Sequence, residues 1–229
     1  MGSNSFRKYI IYAIGEIILV MVGILLALQV NNWNESRKEK KSELQILQQF
    51  KKDLETNLLD LELNEQFQRK CVKSSEILLS HMSSDKPFHD SLEIHFANVF
   101  VWSKFVVNTG AYQTLQSKGV ELISDLELRN AILSIYEKQL TWNQTYEQVM
   151  IDKVEHFRNI DGADFFSELK VIEGKSKVLD YSSLRNDNRF IYYLNSQVAD
   201  FTFFIGITEG YIESHHATIE LIDDVLNHQ

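Results

Sequence analysis

Seven histidines and one cysteine are the residues best suited to metal or thiol chemistry, but their spacing favours neither. No two histidines are four residues apart, the separation that would place two imidazoles on one helical face, and no H-E-x-x-H motif occurs. Cys71 cannot form a disulfide within this chain, and Lys70 and Lys73 are the only nearby cations that could stabilise a thiolate. We therefore expect Cys71 to be a small, buried apolar residue. The histidines are His81, His89, His95, His156, His215, His216 and His228.

The motifs of phosphate-binding and hydrolytic enzymes are missing from the sequence. There is no GxGxxG, no P-loop and no G-x-S-x-G. The acidic pair Asp223 and Asp224 is more typical of a solvated helix face than of a paired-carboxylate site. We predict that the protein is not an enzyme, and that it has no catalytic residue, no bound cofactor and no metal site.

Three polar residues form the one candidate for a ligand contact. Tyr112 and Gln116 are four residues apart, and four residues make about one helical turn. Lys118 follows within the same short helix, so the three side chains could bind a polar molecule. The alternative is that Tyr112 packs inside the fold while Gln116 and Lys118 face solvent.

A carboxylate interrupts an otherwise apolar run of about 21 residues, 10–30. Glu16 costs about 2–3 kcal/mol near the centre of a bilayer, and less near an interface. At 100° per residue, Gly23 and Ala27 fall within about 40° of Glu16 and form a small-xxx-small pair. We expect this face to contact another helix. The alternative is a Glu16 side chain that reaches the headgroups without a partner.

The same run has the length and flanks of a transmembrane helix. About 20 apolar residues span the roughly 30 Å of hydrocarbon in a bilayer. Tyr9 and Tyr12 lie at one end and Trp33 just beyond the other, as expected for aromatic residues at the two interfaces. The run is too long for the core of a signal peptide, and no small-x-small cleavage site follows it. The sequence therefore predicts a membrane anchor whose first partner is the lipid bilayer.

The remaining chain has the composition of a helical domain. It contains one proline and few glycines, and a sheet protein of 229 residues would usually contain more of these turn-forming residues. A net charge of −9 disfavours nucleic acid as a partner, because phosphate binding needs a basic surface. We predict an all-α fold: a single N-terminal transmembrane helix (1–34) followed by an antiparallel helical bundle (35–229).

The apolar periodicity locates the individual helices. A leucine stripe predicts a helix that continues from the span without a break, through Leu44, Leu47, Leu54, Leu58 and Leu61. We expect further helices over 92–107, 111–118, 125–157 and 189–226, with a loop and a short helix over 159–188. Gly119 should end the third helix, and Ser124 with Glu127 should form a capping box.

Two sequence blocks resemble an uncharacterised family of small, single-span bacterial membrane proteins with a helical C-terminal domain. The blocks are YAIGEI (12–17), GIL (23–25) and ALQVNNWNE (27–35) in the anchor, and GAYQTLQSKG (110–119), LIS (122–124) and LR (128–129) in the domain. The counts of Lys and Arg on the two flanks leave the orientation open. The basic N-terminal tail of relatives implies a cytoplasmic N-terminus and a periplasmic domain in a bacterial inner membrane.

These features support three functional hypotheses. The first is a self-associating scaffold or interaction protein, either a homo-oligomer or a subunit bound to another membrane protein. The second is a channel subunit in which Glu16 lines a pore for cations or protons. The third is a sensor, which would need a cleft lined by Trp102, Tyr112 or Trp142.

Overall fold

One helix forms the axis of the protein. The computed structural model describes residues 3–84 and 86–228, without the side chains of 3–11 and 13. α1 (Ser3–Met82) runs for 80 residues, about 120 Å at 1.5 Å per residue. It passes through the predicted domain boundary at 34/35 without interruption, as the leucine stripe predicts, because neither proline nor glycine occurs between Gly23 and Met82. The span and the domain therefore share one continuous backbone.

Two further helical columns pack against the second half of α1. One column consists of α4 (Leu126–Leu133), a π-helical segment (Ser134–Gln139) and α5 (Leu140–His156), followed by a second π-helical segment (Phe157–Asp161) and α6 (Gly162–Phe165). The other column is α8 (Asn188–Asn227). The described chain is 81% helical, which confirms the all-α prediction.

Side-chain pairs give the directions of the columns. Lys51 contacts Asp223 at 2.6 Å, and Arg69 contacts Glu209, so α8 runs antiparallel to α1. The rings of Phe50 and Tyr136 lie 5.8 Å apart near one end of the domain. Farther from the span, Cys71 shares a buried cluster with Met150, so α4 and α5 run in the same direction as α1. The antiparallel arrangement thus applies to α8 against both other columns.

The parallel pair requires a return connection, which residues 83–125 supply. It contains α2 (Glu93–Asn98), α3 (Gly110–Lys118) and short 3₁₀ turns at Asp90–Leu92 and Val120–Leu122. The prediction of one helix over 92–107 is wrong beyond Asn98. Residues 99–109, here named the connecting segment, have no regular secondary structure, although Phe100 and Phe105 within it are buried in the core.

The region 159–188 also differs from the predicted loop. It holds a two-stranded antiparallel hairpin, β1 (Phe166–Lys170) and β2 (Lys175–Val178), followed by α7 (Tyr181–Leu184). Gly174 takes φ = 65° in the turn between the strands, a conformation that glycine adopts without strain. Phe166 anchors the hairpin in the core.

Two local predictions at helix ends have opposite outcomes. Gly119 follows α3 with φ = 96°, which confirms the predicted helix end. The capping box is wrong, because the Asp125 side chain caps α4 by accepting from Leu128 N. Ser124 instead donates to Glu43 of α1.

Two cores of different character fill the domain. The core nearer the span is mostly aliphatic and includes Leu47, Leu54, Leu115 and Ile132. The far core is built from aromatic rings, including Phe100, Phe157, Phe190 and Tyr193. Between them lie the small cluster that contains Cys71 and Met150 and a layer of buried polar side chains from α1, α5 and α8, here named the polar layer. These residues are Asn64, Gln68, Asn143, Glu147, Gln197, Thr208 and His215.

Candidate functional site

The predicted transmembrane face is uncovered by the rest of the chain. α1 is long and apolar enough to cross a membrane: its most apolar 18-residue window has a mean hydropathy of 2.1, and none of it is buried. Glu16, Gly23 and Ala27 are exposed, and a Cβ added at Gly23 would meet no atom within 4 Å. Within the described part of the chain, no other element covers this face.

The aromatic residues at the two ends of the candidate span are separated by about the thickness of the bilayer hydrocarbon. Tyr12 is 78% exposed and Trp33 is 67% exposed, so neither side chain is needed for the core. The 21 residues from one to the other correspond to about 32 Å of helix, close to the roughly 30 Å of bilayer hydrocarbon. The side chain of Tyr9 lies outside the described residues.

Tyr112 and Gln116 meet in one hydrogen-bond network. The Tyr112 hydroxyl donates to Glu137 Oε1 at 2.8 Å and accepts from Gln116 Nε2 at 3.1 Å. Its ring stacks on Tyr136 with centroids 4.8 Å apart, and Tyr112 is only 8% exposed. Burial, followed by the nearby Glu137 carboxylate, raises the pKa of Tyr112. Tyr112 thus joins α3 to the π-helical segment.

Lys118 does not join that network. Its Nζ donates to Ser42 Oγ of α1 at 2.8 Å. Lys118 also lines a surface pocket of about 530 Å³ at the end of the domain nearest the candidate span. Glu43 lines the same pocket and accepts from Lys40 Nζ, Ser124 N and Ser124 Oγ at 2.7–2.8 Å. Burial alone would raise the pKa of Glu43, but these hydrogen bonds outweigh it and hold the pKa below its ordinary value.

The connecting segment is held by polar side chains of α1 that sequence reasoning missed. Asn57 pairs with both backbone groups of Asn108, and Asp60 Oδ2 accepts from Val106 N at 2.9 Å. Asp53 Oδ2 accepts from Ala111 N at 2.9 Å, where α3 begins. Asp53, Asn57 and Asp60 are three or four residues apart, so they lie on one face of α1. That spacing was the available signal for a polar contact along α1.

A second group of missed residues lies in the polar layer between the two cores. Glu147 of α5 accepts from Phe105 N at 2.9 Å and so holds the connecting segment from the other side. Burial raises the pKa of Glu147, and this outweighs the opposing hydrogen bond from Phe105 N. Burial lowers the pKa of His215 of α8. The layer therefore favours the neutral forms of both residues.

The third hypothesis, a sensor, depends on a cleft lined by Trp102, Tyr112 or Trp142. Tyr112 is buried against Tyr136, whereas Trp102 and Trp142 are exposed. Among the described residues, no three His, Cys, Asp or Glu side chains group so that they could hold a metal ion.

These features define a class: a helical domain carried on a single candidate membrane-spanning helix. Residues 16–196 match the family of unknown function DUF6090, and the chain belongs to that family. The match contains both sequence blocks except for the first residues of the anchor motif, which confirms the resemblance. Neither the curated proteins nor the solved structures contain a match.

Proposed function

We propose that this chain is a membrane-anchored scaffold that self-associates through the Glu16, Gly23 and Ala27 face of its span. The observation that carries the proposal is the unbroken course of α1 from an uncovered span to Met82. A pair of spans held at this face would fix the spacing and rotation of two domains, because no joint separates the span from the domain. The proposal assigns no catalytic step to the chain.

Glu16 gives the association its specificity. A carboxyl group in hydrocarbon needs a hydrogen-bond partner, and a second copy of the same helix supplies one. Gly23 lets the two backbones approach closely, since its surface is free of side-chain atoms. The two residues thus provide a polar contact and a packing contact on the same face.

The test compares two glycine substitutions by native mass of the full-length protein in mild detergent. Gly23→Leu fills the proposed interface and should reduce the oligomer to a monomer. Gly15→Leu is the matched control, because Gly15 is equally open but lies about 100° from Glu16 around the helix. It should leave the mass unchanged. A monomeric wild-type protein, or an oligomer that survives Gly23→Leu, would contradict self-association at this face.

A conducting oligomer is the second candidate, favoured by the exposure of the Glu16 carboxyl group on the span. Such an oligomer would place several Glu16 side chains around one axis. Ion or proton flux into liposomes that is lost in Glu16→Gln would support it. Absence of flux across the pH range, with an intact oligomer, would leave the scaffold as the function.

The proposed location is a bacterial inner membrane with the domain in the periplasm. Modification of single cysteines by a membrane-impermeant reagent tests it, after Cys71 is replaced by Ser. A cysteine at exposed Val149 should react in intact cells only if the domain is periplasmic.

A further inference from the structure

A small cavity lies within the polar layer, where the π-helical segment meets α8 and the connecting segment. It leaves about 10 Å³ open to a water-sized sphere, close to the minimum needed for one water molecule. Its walls combine apolar side chains with a few polar ones. The lining residues that matter here are Phe105, Val107, Tyr136, Gln139, Asn143 and His215.

His215 presents a hydrogen-bond acceptor to this cavity. Its Nδ1 lies 2.8 Å from the Tyr211 carbonyl oxygen, and because a carbonyl only accepts, Nδ1 must carry the proton. In the neutral ring Nε2 is then an unprotonated acceptor. Nε2 is buried and has no hydrogen-bond partner among the described residues, and His215 is 2% exposed.

Gln139 presents a second acceptor and Tyr136 a donor. The Gln139 Nε2 group donates to Ser214 Oγ at 3.0 Å, which fixes the orientation of the amide. Its Oε1 is buried without a partner in the described part of the chain, and so are the Tyr136 hydroxyl and Asn143 Nδ2. Buried polar groups in folded proteins nearly always have a partner, so four unpartnered groups around one small cavity point to a bound molecule.

We propose that the cavity binds one water molecule, which donates to Gln139 Oε1 and His215 Nε2 and accepts from the Tyr136 hydroxyl and Asn143 Nδ2. Two acceptors and two donors match the two hydrogens and the two lone pairs of water. A metal cation would need more oxygen ligands than the cavity offers. The apolar walls, including Phe105 and Val107, leave no room for a larger solute.

This water joins two columns of the domain. Tyr136 and Gln139 belong to the π-helical segment, and His215 belongs to α8. π-helical turns are rare and frequently occur at functional sites. Tyr136 also stacks on Tyr112 of α3, so the bound water is connected with the network that includes the predicted ligand residues. The site is thus a structural hydration site that holds α4–α5 against α8.

A crystal structure of the full-length protein that resolves ordered water provides the test. We expect a solvent peak within hydrogen-bonding distance of both Gln139 Oε1 and His215 Nε2. The peak should vanish or weaken strongly in His215→Phe, and should persist in His216→Phe, which alters the exposed neighbour. Should His215→Phe fail to fold, Gln139→Met removes the other acceptor at nearly constant length.

A second measurement, by NMR in solution, determines whether His215 Nε2 is unprotonated and accepts a hydrogen bond. The ¹⁵N chemical shift of His215 Nε2 should be that of an unprotonated nitrogen that accepts a hydrogen bond, and Gln139→Met should shift it. The proposal is overturned by a wild-type cavity without a solvent peak. It is equally overturned by a direct protein donor on Nε2, or by a peak that neither variant changes.

Discussion

Asn57 of α1 pairs with both backbone groups of Asn108: Nδ2 donates to the carbonyl oxygen at 3.2 Å, and Oδ1 accepts from the backbone N–H at 2.7 Å. An asparagine side chain has the same donor and acceptor arrangement as a peptide group, so it supplies both hydrogen bonds that a backbone neighbour would otherwise make with Asn108. Asp53 and Asp60 extend the pattern on either side. The connecting segment can therefore remain irregular without leaving these backbone groups unpaired.

Asn57→Ala should destabilise the domain by about 1–3 kcal/mol. Asn57 is fully buried, and its loss leaves the backbone N–H and carbonyl of Asn108 without these partners. Chemical unfolding of the full-length protein in detergent measures the change. Thr56→Ala, on the exposed side of the same turn, should change the free energy of unfolding by no more than about 0.5 kcal/mol. Equal effects of the two substitutions would show that the Asn57–Asn108 pair contributes nothing.

Gly119→Ala should destabilise the protein by about 1 kcal/mol or more, since φ = 96° is strained for a residue with a Cβ. Gly110→Ala is the control at the other end of α3. Its added Cβ would meet only Asp53 Oδ2, at 3.6 Å, and no positive φ is involved. Thermal unfolding followed by circular dichroism compares them. A melting temperature that Gly119→Ala leaves unchanged would contradict the strain argument.

Glu147→Gln should stabilise the protein at neutral and alkaline pH. Burial raises the pKa of Glu147, so its contribution to stability is complete below the ordinary value near 4.5 and is lost as pH rises through the folded-state pKa. Glutamine is uncharged and retains an oxygen that can accept from Phe105 N. The difference in the free energy of unfolding between Glu147→Gln and wild type should increase from pH 4 to pH 8, as measured by chemical unfolding at each pH. The exposed substitution Glu220→Gln should show no such growth.

His215 should make the domain sensitive to mild acid. Burial lowers the pKa of His215 and outweighs the hydrogen bond to the Tyr211 carbonyl, which raises it; the neighbouring His216 adds a smaller lowering. Protonation therefore favours the unfolded chain, and stability should fall as pH drops below about 6.5. His215→Gln should reduce this loss between pH 7.5 and 5.5, whereas His216→Gln should not. A loss of the same size in His215→Gln would assign the acid sensitivity to other groups.

The sequence determined the elements whose signals are local. The span follows from the length of one apolar run, and the continuation of α1 follows from the absence of breakers beyond Gly23. Gly119 marked the end of α3 because a left-handed backbone conformation favours glycine. The bounds of α8, Asn188–Asn227, agree with the predicted 189–226 to within one residue.

Tertiary structure decided what depends on partners distant in the chain. The aromatic run after Asn98 has the composition of a helix or a strand, and its contacts with α1, α5 and α8 hold it in an irregular conformation. Glu43 and Ser124, 81 residues apart, meet because the return connection brings the two together, and so Asp125 rather than Ser124 caps α4. The proposed hydration site requires Tyr136 and Gln139 of the π-helical segment to lie beside His215 of α8. Periodicity shows which side of a helix is buried, but it carries no information about which polar groups will face each other across the core.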